Sequence, residues 1–253
     1  MSVVPLSAIV LTSNEAANLG ACLATLDWAD ERVVVDSFST DGTVNGDRSA
    51  TRVVERRFAD FASQRQAALV RATHDWVLFV DADERVSPSL ASEIQSRAGT
   101  ETHAGYWIPR RNRIFGHWMR ASGWSPDRQL RLMDRRRATY RPDRPVHELV
   151  HIRGSVGRLR HSLEHLGYET VVSFRRRQRT YAGLVADEQF AHGVHRRPSA
   201  LLAQPLREFG QRLLRLRGYR DGLTGLLLAA LMAEHEWHVQ RRLRALRKGA
   251  ARA

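Results

Sequence analysis

The sequence predicts an α/β fold, with a mostly parallel central sheet, helices on both faces and a C-terminal helical extension. Three observations carry that prediction. Short β-branched runs alternate with helical stretches through the first hundred residues. Runs such as Val33-Val34-Val35 and Val77-Leu78-Phe79-Val80 are apolar without interruption, as strands covered on both faces require. The last third sets Leu, Phe and Trp on one side of helical segments and Arg on the other. Together these patterns argue βαβ units in a Rossmann-like sheet.

In chain order, Ser7–Leu11 reads as a strand, Glu15–Leu26 as a helix, Arg32–Val35 as a strand, and a short helix follows Asp41. Arg52–Glu55 and Trp76–Val80 are strands, each followed by a helix, Phe61–Arg71 and Pro88–Ser96. From about residue 101 the character changes. Strands near Gly105–Pro109 and Gln129–Met133 flank a Gly/Trp/Arg-rich loop, Arg110 to Asp127. From Ser162 onward the pattern is helical, with basic amphipathic segments at Pro205–Arg217 and Leu226–Arg247. The expected domains are a catalytic one over 1–160 and a helical extension over 161–253 packed on it.

A chain of 253 residues with 43% apolar and 26% charged residues has a core of its own, which excludes disordered, collagenous and disulfide-scaffold proteins. The single cysteine, Cys22, shares helical spacing with Leu19, Leu23 and Leu26, so a buried structural thiol in a reducing cytoplasm is expected. Met1 to Leu11 lacks a basic region before its apolar run and reads as a first strand, not a signal peptide. The longest apolar stretch, Leu223 to Ala233, has 11 residues. A bilayer crossing needs ~20, so any membrane contact lies on the surface.

Net charge is +13, unevenly spread: residues 1–100 carry −5 and residues 101–253 carry +18. Partners bearing phosphate are expected. A nucleic-acid-binding protein is the alternative that the pI of about 11.2 and the arginine runs at 135–137 and 175–177 raise. No zinc-finger, homeodomain or RNP pattern supports it, and the acidic strand ends oppose it.

Those strand ends are where ligands sit in such sheets. The first runs into Thr12-Ser13-Asn14-Glu15, the second into Asp36-Ser37-Phe38-Ser39-Thr40-Asp41-Gly42-Thr43, and the fourth into Asp81-Ala82-Asp83-Glu84. No GxGxxG follows the first strand and no GxxxxGK[ST] occurs, which removes the dinucleotide-fingerprint and P-loop readings. Side chains at i and i+2 of an extended segment point the same way, so Asp81 and Asp83 can face one divalent cation or one nucleotide. Mg²⁺ and Mn²⁺ take such hard oxygen ligands and bridge them to a diphosphate.

With these residues in view, the chain resembles the inverting glycosyltransferases of family 2, which have the GT-A fold. The resemblance rests on Val10–Glu15, Val33–Thr43 and Asp75–Glu84. Tyr106–Asn112, Gly123–Leu132 and Val146-His147-Glu148 resemble the branch that includes bacterial lipopolysaccharide-core enzymes, and Arg220-Asp221-Gly222 matches more loosely. The resemblance implies nucleotide-sugar contacts from Thr12, Asn14, Glu15, Asp36, Ser39, Asp41, Gln64, Asp81, Ala82 and Arg131. It implies Mn²⁺ or Mg²⁺ on Asp83 and His147, and a base at Asp127. Pro126-Asp127 supplies one carboxylate where the family often has two, so Glu148 stands as a rival base.

Inverting transfer needs these types. A carboxylate takes the acceptor's proton as its oxygen attacks the anomeric carbon, and the diphosphate leaves from the opposite face. Arg110, Arg111, Arg113, Arg128 and Arg131 are candidate phosphate ligands, Trp118 and Trp124 can stack on a sugar or anchor the loop, and Gly116 and Gly123 can let it close. The implied partners are a nucleotide-sugar donor, by default a UDP-hexose, and a cell-envelope or lipid-linked saccharide such as lipopolysaccharide core. A secondary-metabolite acceptor is the alternative. The basic half and amphipathic tail suggest peripheral contact with an anionic membrane at its cytoplasmic face, or an oligomer.

Overall fold

A computed structural model describes residues 4–44, 52–100, 102–140, 150–194 and 199–250. The first β-branched run forms β1 (Leu6–Thr12), followed by α1 (Leu19–Ala24), β2 (Glu31–Asp36), β3 (Arg52–Glu55), α2 (Phe61–Arg71) and β4 (Trp76–Asp81). Strands β3, β2, β1 and β4 lie side by side and parallel, with Ile9 paired to Val33 on one side and Phe79 on the other. Successive side chains leave a strand on opposite faces. Ala8, Val10, Val34, Leu78 and Val80 pack with Leu19, Leu23, Leu90 and Ile94, while Ile9, Val33, Val35, Val77 and Phe79 pack with Ala62, Ala68 and Leu69. Burial on both faces is why these runs show no polar alternation.

Beyond β4 come β5 (Glu84–Val86), α3 (Pro88–Arg97), β6 (Gly105–Ile114), β7 (His117–Trp118), β8 (Asp127–Asp134), β9 (Ala138–Tyr140), β10 (Val150–Ile152), β11 (Val156–Arg158) and β12 (Leu163–Tyr168). The sheet order is β3-β2-β1-β4-β8-β6-β12-β5, with β8 antiparallel to both β4 and β6. β5 follows β4 in sequence yet pairs with β12 at the other end of this path, so the sheet curls. α3 starts where expected because the Ser87 side chain accepts from the Leu90 N–H and Pro88 fills the first turn.

The chain divides into two compact units, Met1–Arg111 with Asp127–His165, and Asn112–Pro126 with Leu166–Ala253. In the second, α4 (Val171–Ala191) and α5 (Ala200–Gly210) each pack along α6 (Gly222–Ala250). Phe174, Leu228 and Leu231 enclose Ile114 and Met119. A π-helical turn, Gln211–Arg215, and a 3-10 turn, Gly218–Asp221, reverse the chain between α5 and α6. The reversal is tight: a Cβ on Gly225 would lie 1.9 Å from the Gly218 carbonyl oxygen, so only glycine fits there.

Four local expectations change. The helix over Glu15–Leu26 shrinks to α1, because Asn14 sits at φ +55° and the residues around it bond to the loop after β2. The loop over Arg110–Asp127 starts later: β6 runs on to Ile114 with Asn112 and Ile114 buried and Arg111 and Arg113 exposed, then turns into β7. Phe115 and Gly116, at φ +51° and +78°, form that two-residue turn, so Gly116 serves a tight hairpin. Leu163–Tyr168 is a strand, not the start of the helical region, and α5 begins at Ala200, ahead of Pro205. After Asp41 the chain turns through Val44, and the rest of the short helix expected there lies outside the described residues.

Candidate active site

Two loops at the carboxyl ends of β1 and β2 lace together. The Asn14 N–H donates to Ser39 Oγ at 2.8 Å, the Glu15 N–H to Thr43 Oγ1 at 2.9 Å, and the Ala16 N–H to Asp41 Oδ2 at 3.1 Å. In return, Asn14 Oδ1 accepts from the Thr40 N–H at 2.9 Å. Asp36 is buried, and its carboxylate accepts from the Ser39 N–H and hydroxyl. Buried Gln64 reaches Ser37 Oγ at 3.3 Å from α2. Thr12, Asn14, Glu15, Asp36, Ser39, Asp41 and Gln64 thus come together around one rim. Thr12 Oγ1 is buried there with no hydrogen-bond partner among the described residues. Phe38, which motif reading passed over, stands 53% exposed at φ +59°, a strained conformation for an aromatic residue.

The second cluster forms where β4 meets β8. Because β8 is antiparallel to β4, with Leu78 opposite Leu132, its first residue Asp127 falls at the same sheet edge as Asp81, the last residue of β4. Arg131 donates to Asp81 Oδ2 at 2.6 Å and Arg65 to Oδ1 at 3.0 Å. Desolvation alone would raise the Asp81 pKa, but Arg131, Arg65 and Arg110 outweigh it and hold the carboxyl well below the usual range. Asp81 is therefore a charged anchor for two buried arginines, while Ala82 beside it is buried.

Arg110 joins the pieces. On β6 it sits opposite Asp127 in the ladder, donates to Asp127 Oδ2 at 2.7 Å and reaches Glu84 Oε1 at 3.3 Å. Glu84, fully buried, accepts the Asp81 N–H at 3.0 Å through its other oxygen. Gln129 holds the second Asp127 oxygen at 2.8 Å. The candidate base is thus hydrogen-bonded through Arg110 and Glu84 to the Asp-Ala-Asp turn. Desolvation opposes the Arg110 charge, but Glu84 and Asp127 outweigh it and raise its pKa.

Near Asp83, His165 Nε2 on β12 lies 3.3 Å from Asp83 Oδ2. His147 and Glu148 lie outside the described residues. No group of three His, Cys, Asp or Glu side chains is placed to hold a metal among the described residues. The Asp83 carboxylate is the hard oxygen ligand that Mn²⁺ or Mg²⁺ takes, and His165 beside it would add a nitrogen. Cys22 is buried, its thiol pKa pushed up by burial, in line with a structural role.

Arg65 and His165 lie outside the sequence motifs, and Glu84, inside the fourth strand end, carried no expected role. Arg65 lies next to Gln64 on α2, and its neighbourhood offered no charge pattern; His165 fell in a stretch read as helix. In the second unit Trp124 packs edge-on against Tyr168 and Phe174, which makes it a loop anchor, and Arg113 lies over Trp118 at 6.0 Å.

The curled α/β sheet thus carries the Asp-Ala-Asp turn and the Asp127 carboxylate at one edge. The chain belongs to glycosyltransferase family 2: residues 7–167 match the family described as Glycosyl transferase family 2. It is 31% identical over 233 residues to the lipopolysaccharide core biosynthesis glycosyltransferase LpsC of Rhizobium meliloti, covering 89% of this chain and 86% of that one, which puts it in the lipopolysaccharide-core-like branch. A glycosyltransferase of Rickettsia felis is 35% identical over 92 residues, 36% of this chain and 32% of its own. Among solved structures, Staphylococcus aureus TarS 1–349 aligns over 97% of this chain and 92% of its own, at 15% identity and TM-score 0.48. Glucosyl-3-phosphoglycerate synthase of Mycobacterium tuberculosis, solved with Mn²⁺ and UDP, aligns over 44% of each chain at 21% identity and TM-score 0.37.

Proposed function

We propose that this glycosyltransferase moves a hexose, with inversion, from a UDP-linked donor to a hydroxyl of a cell-envelope saccharide such as lipopolysaccharide core, at the inner face of the membrane. The observation that carries the reading is the hydrogen-bonded connection from Asp127 through Arg110 and Glu84 to the Asp-Ala-Asp turn. It ties a proton acceptor to the turn that would face the leaving diphosphate. The likeness to LpsC supports the acceptor class.

In this reading the interlaced loops at Thr12–Glu15 and Asp36–Thr43 hold the nucleoside, with Phe38 offering a flat face to the base. Asp83 and His165 would hold Mn²⁺ or Mg²⁺, which would offset charge developing on the diphosphate. Asp127 takes the proton of the acceptor hydroxyl as its oxygen bonds to the anomeric carbon and the bond to the diphosphate breaks. Arg110 and Gln129 keep that carboxylate oriented. Glu148 is the rival for the base role.

The test is calorimetric titration of UDP, GDP, ADP, CMP and dTDP with and without Mn²⁺, on the protein and on Asp83→Ala. Binding of UDP that requires Mn²⁺ and is lost in Asp83→Ala is expected. If the folded protein binds no nucleotide in either condition, the donor-site assignment is wrong.

A further inference from the structure

The transfer chemistry uses nothing of the α5–α6 hairpin, which leaves several large leucines exposed. On α5, Leu202 and Leu206 lie one turn apart at 68% and 72% exposure, and Leu214 follows at 68%. On α6, Leu223 is 85% exposed, and Leu226 and Leu227 share its face at helical spacing. Single exposed leucines are ordinary, but a run of them along two packed helices marks a contact surface.

Charge decides what it contacts. Residues 199–227 contain five arginines and two acids. Both acids are engaged: Glu208 pairs with Arg212 at 2.6 Å, and buried Asp221 accepts from the backbone N–H groups of Arg120 and Ala121. Arg207, Arg215, Arg217 and Arg220 are exposed, and so is Tyr219, whose apolar body and polar tip suit an interface. Residues 199–227 thus offer exposed leucine and cation with no unengaged carboxylate. A second copy docking on this face by a two-fold axis would set arginines against arginines. An apolar, anionic partner matches both features, and no helix among the described residues is long and apolar enough to cross a membrane.

We infer that the α5–α6 hairpin is an interfacial docking surface that seats Leu202, Leu206, Leu223 and Leu226 at the acyl edge of an anionic bilayer, with its arginines on lipid phosphates. The inference rests on the membrane part of the proposed function and is independent of the donor chemistry.

The test is flotation with phosphatidylcholine vesicles, with and without phosphatidylglycerol, at physiological salt. The protein is expected to float only with phosphatidylglycerol present, and Leu206→Glu/Leu223→Glu to lose roughly tenfold or more in partitioning. Circular dichroism melting checks that the double variant folds. If it does not, an environment-sensitive dye on Leu223→Cys replaces it, since Cys22 is buried; a blue shift with anionic vesicles is expected, and none at Val70→Cys on α2. No flotation of the unaltered protein, undiminished flotation of the folded double variant, or equal dye shifts at both positions would overturn the proposal. So would a variant that changes only the oligomeric mass, which would assign the face to a second copy. Nucleotide titration of the same variants separates the two readings: vesicle binding without nucleotide binding sinks the donor site alone, and the reverse sinks the docking surface alone.

Discussion

Charge is buried in the first unit and apolar surface is exposed in the second. Asp36 and Glu84 are 0% exposed and Arg131 6%, whereas Leu206 and Leu223 stand at 72% and 85%. Each pattern opposes what folding alone favours, since a buried charge costs free energy unless paired and an exposed leucine gives up its burial. The first unit answers the cost internally, by setting Asp81 between Arg65 and Arg131 and Arg110 between Asp127 and Glu84. The second leaves those leucines exposed among the described residues.

The contrast breaks most sharply at Asp127. Asp127→Asn is expected to lower kcat by about 10²–10⁴-fold with nucleotide affinity nearly unchanged. Near-normal transfer by that variant would move the base role to Glu148. Arg131→Ala would strip Asp81 of one of its two hydrogen-bonded arginines and is expected to cost about 2–3 kcal/mol in urea unfolding, below the range of about 3–5 kcal/mol for a fully buried pair because Asp81 remains 30% exposed. A second unit that kept its own helical signal through the first transition would show that the two cores are separable.

The pH response sharpens the same point. Asp81 has a depressed pKa in the folded state, so its contribution is full above the ordinary carboxylate value of about 3.9 and fades as pH falls below it. The protein should therefore lose stability on acidification below about pH 4, and Asp81→Asn, already less stable near neutrality, should lose less over that interval. Urea midpoints on either side of that pH would check it, and parallel curves for the two proteins would refute it.

In the second unit, Asp221→Ala removes the acceptor for two backbone N–H groups and is expected to destabilise by about 2 kcal/mol, with Asp221→Asn recovering part. Phe38→Ala should weaken UDP binding by roughly threefold to tenfold while leaving the melting temperature unchanged or higher, since the strained aromatic is gone. Unchanged affinity would remove Phe38 from the base pocket.

Much of the first unit was legible because its signals are local. Uninterrupted apolar runs announced β1, β2 and β4, and the Ser87-Pro88 start announced α3. The strand-end residues Asn14, Asp36, Ser39 and Asp41 could be singled out because each follows its strand directly. Elsewhere local signals misled. Leu163–Tyr168 carries mixed polarity and precedes a long helix, yet pairing with β5 makes it a strand. Arg111 and Arg113 looked like loop, yet alternate with Asn112 and Ile114 on β6, where Arg110 shares the face of Asn112.

By itself the sequence determined the strands buried on both faces, the acidic strand ends and the basic amphipathic tail, all of which depend on spacing along the chain, and its motifs carried the resemblance to the family. The tertiary structure alone decided that Asp81 anchors an arginine 50 residues away, that Arg110 bonds both Asp127 and Glu84, that His165 faces Asp83, and which leucines of the tail stay outside. The physical reason is that periodicity sets which way a side chain points from its own element, whereas a charge pair or an exposed face depends on which element the fold brings opposite it.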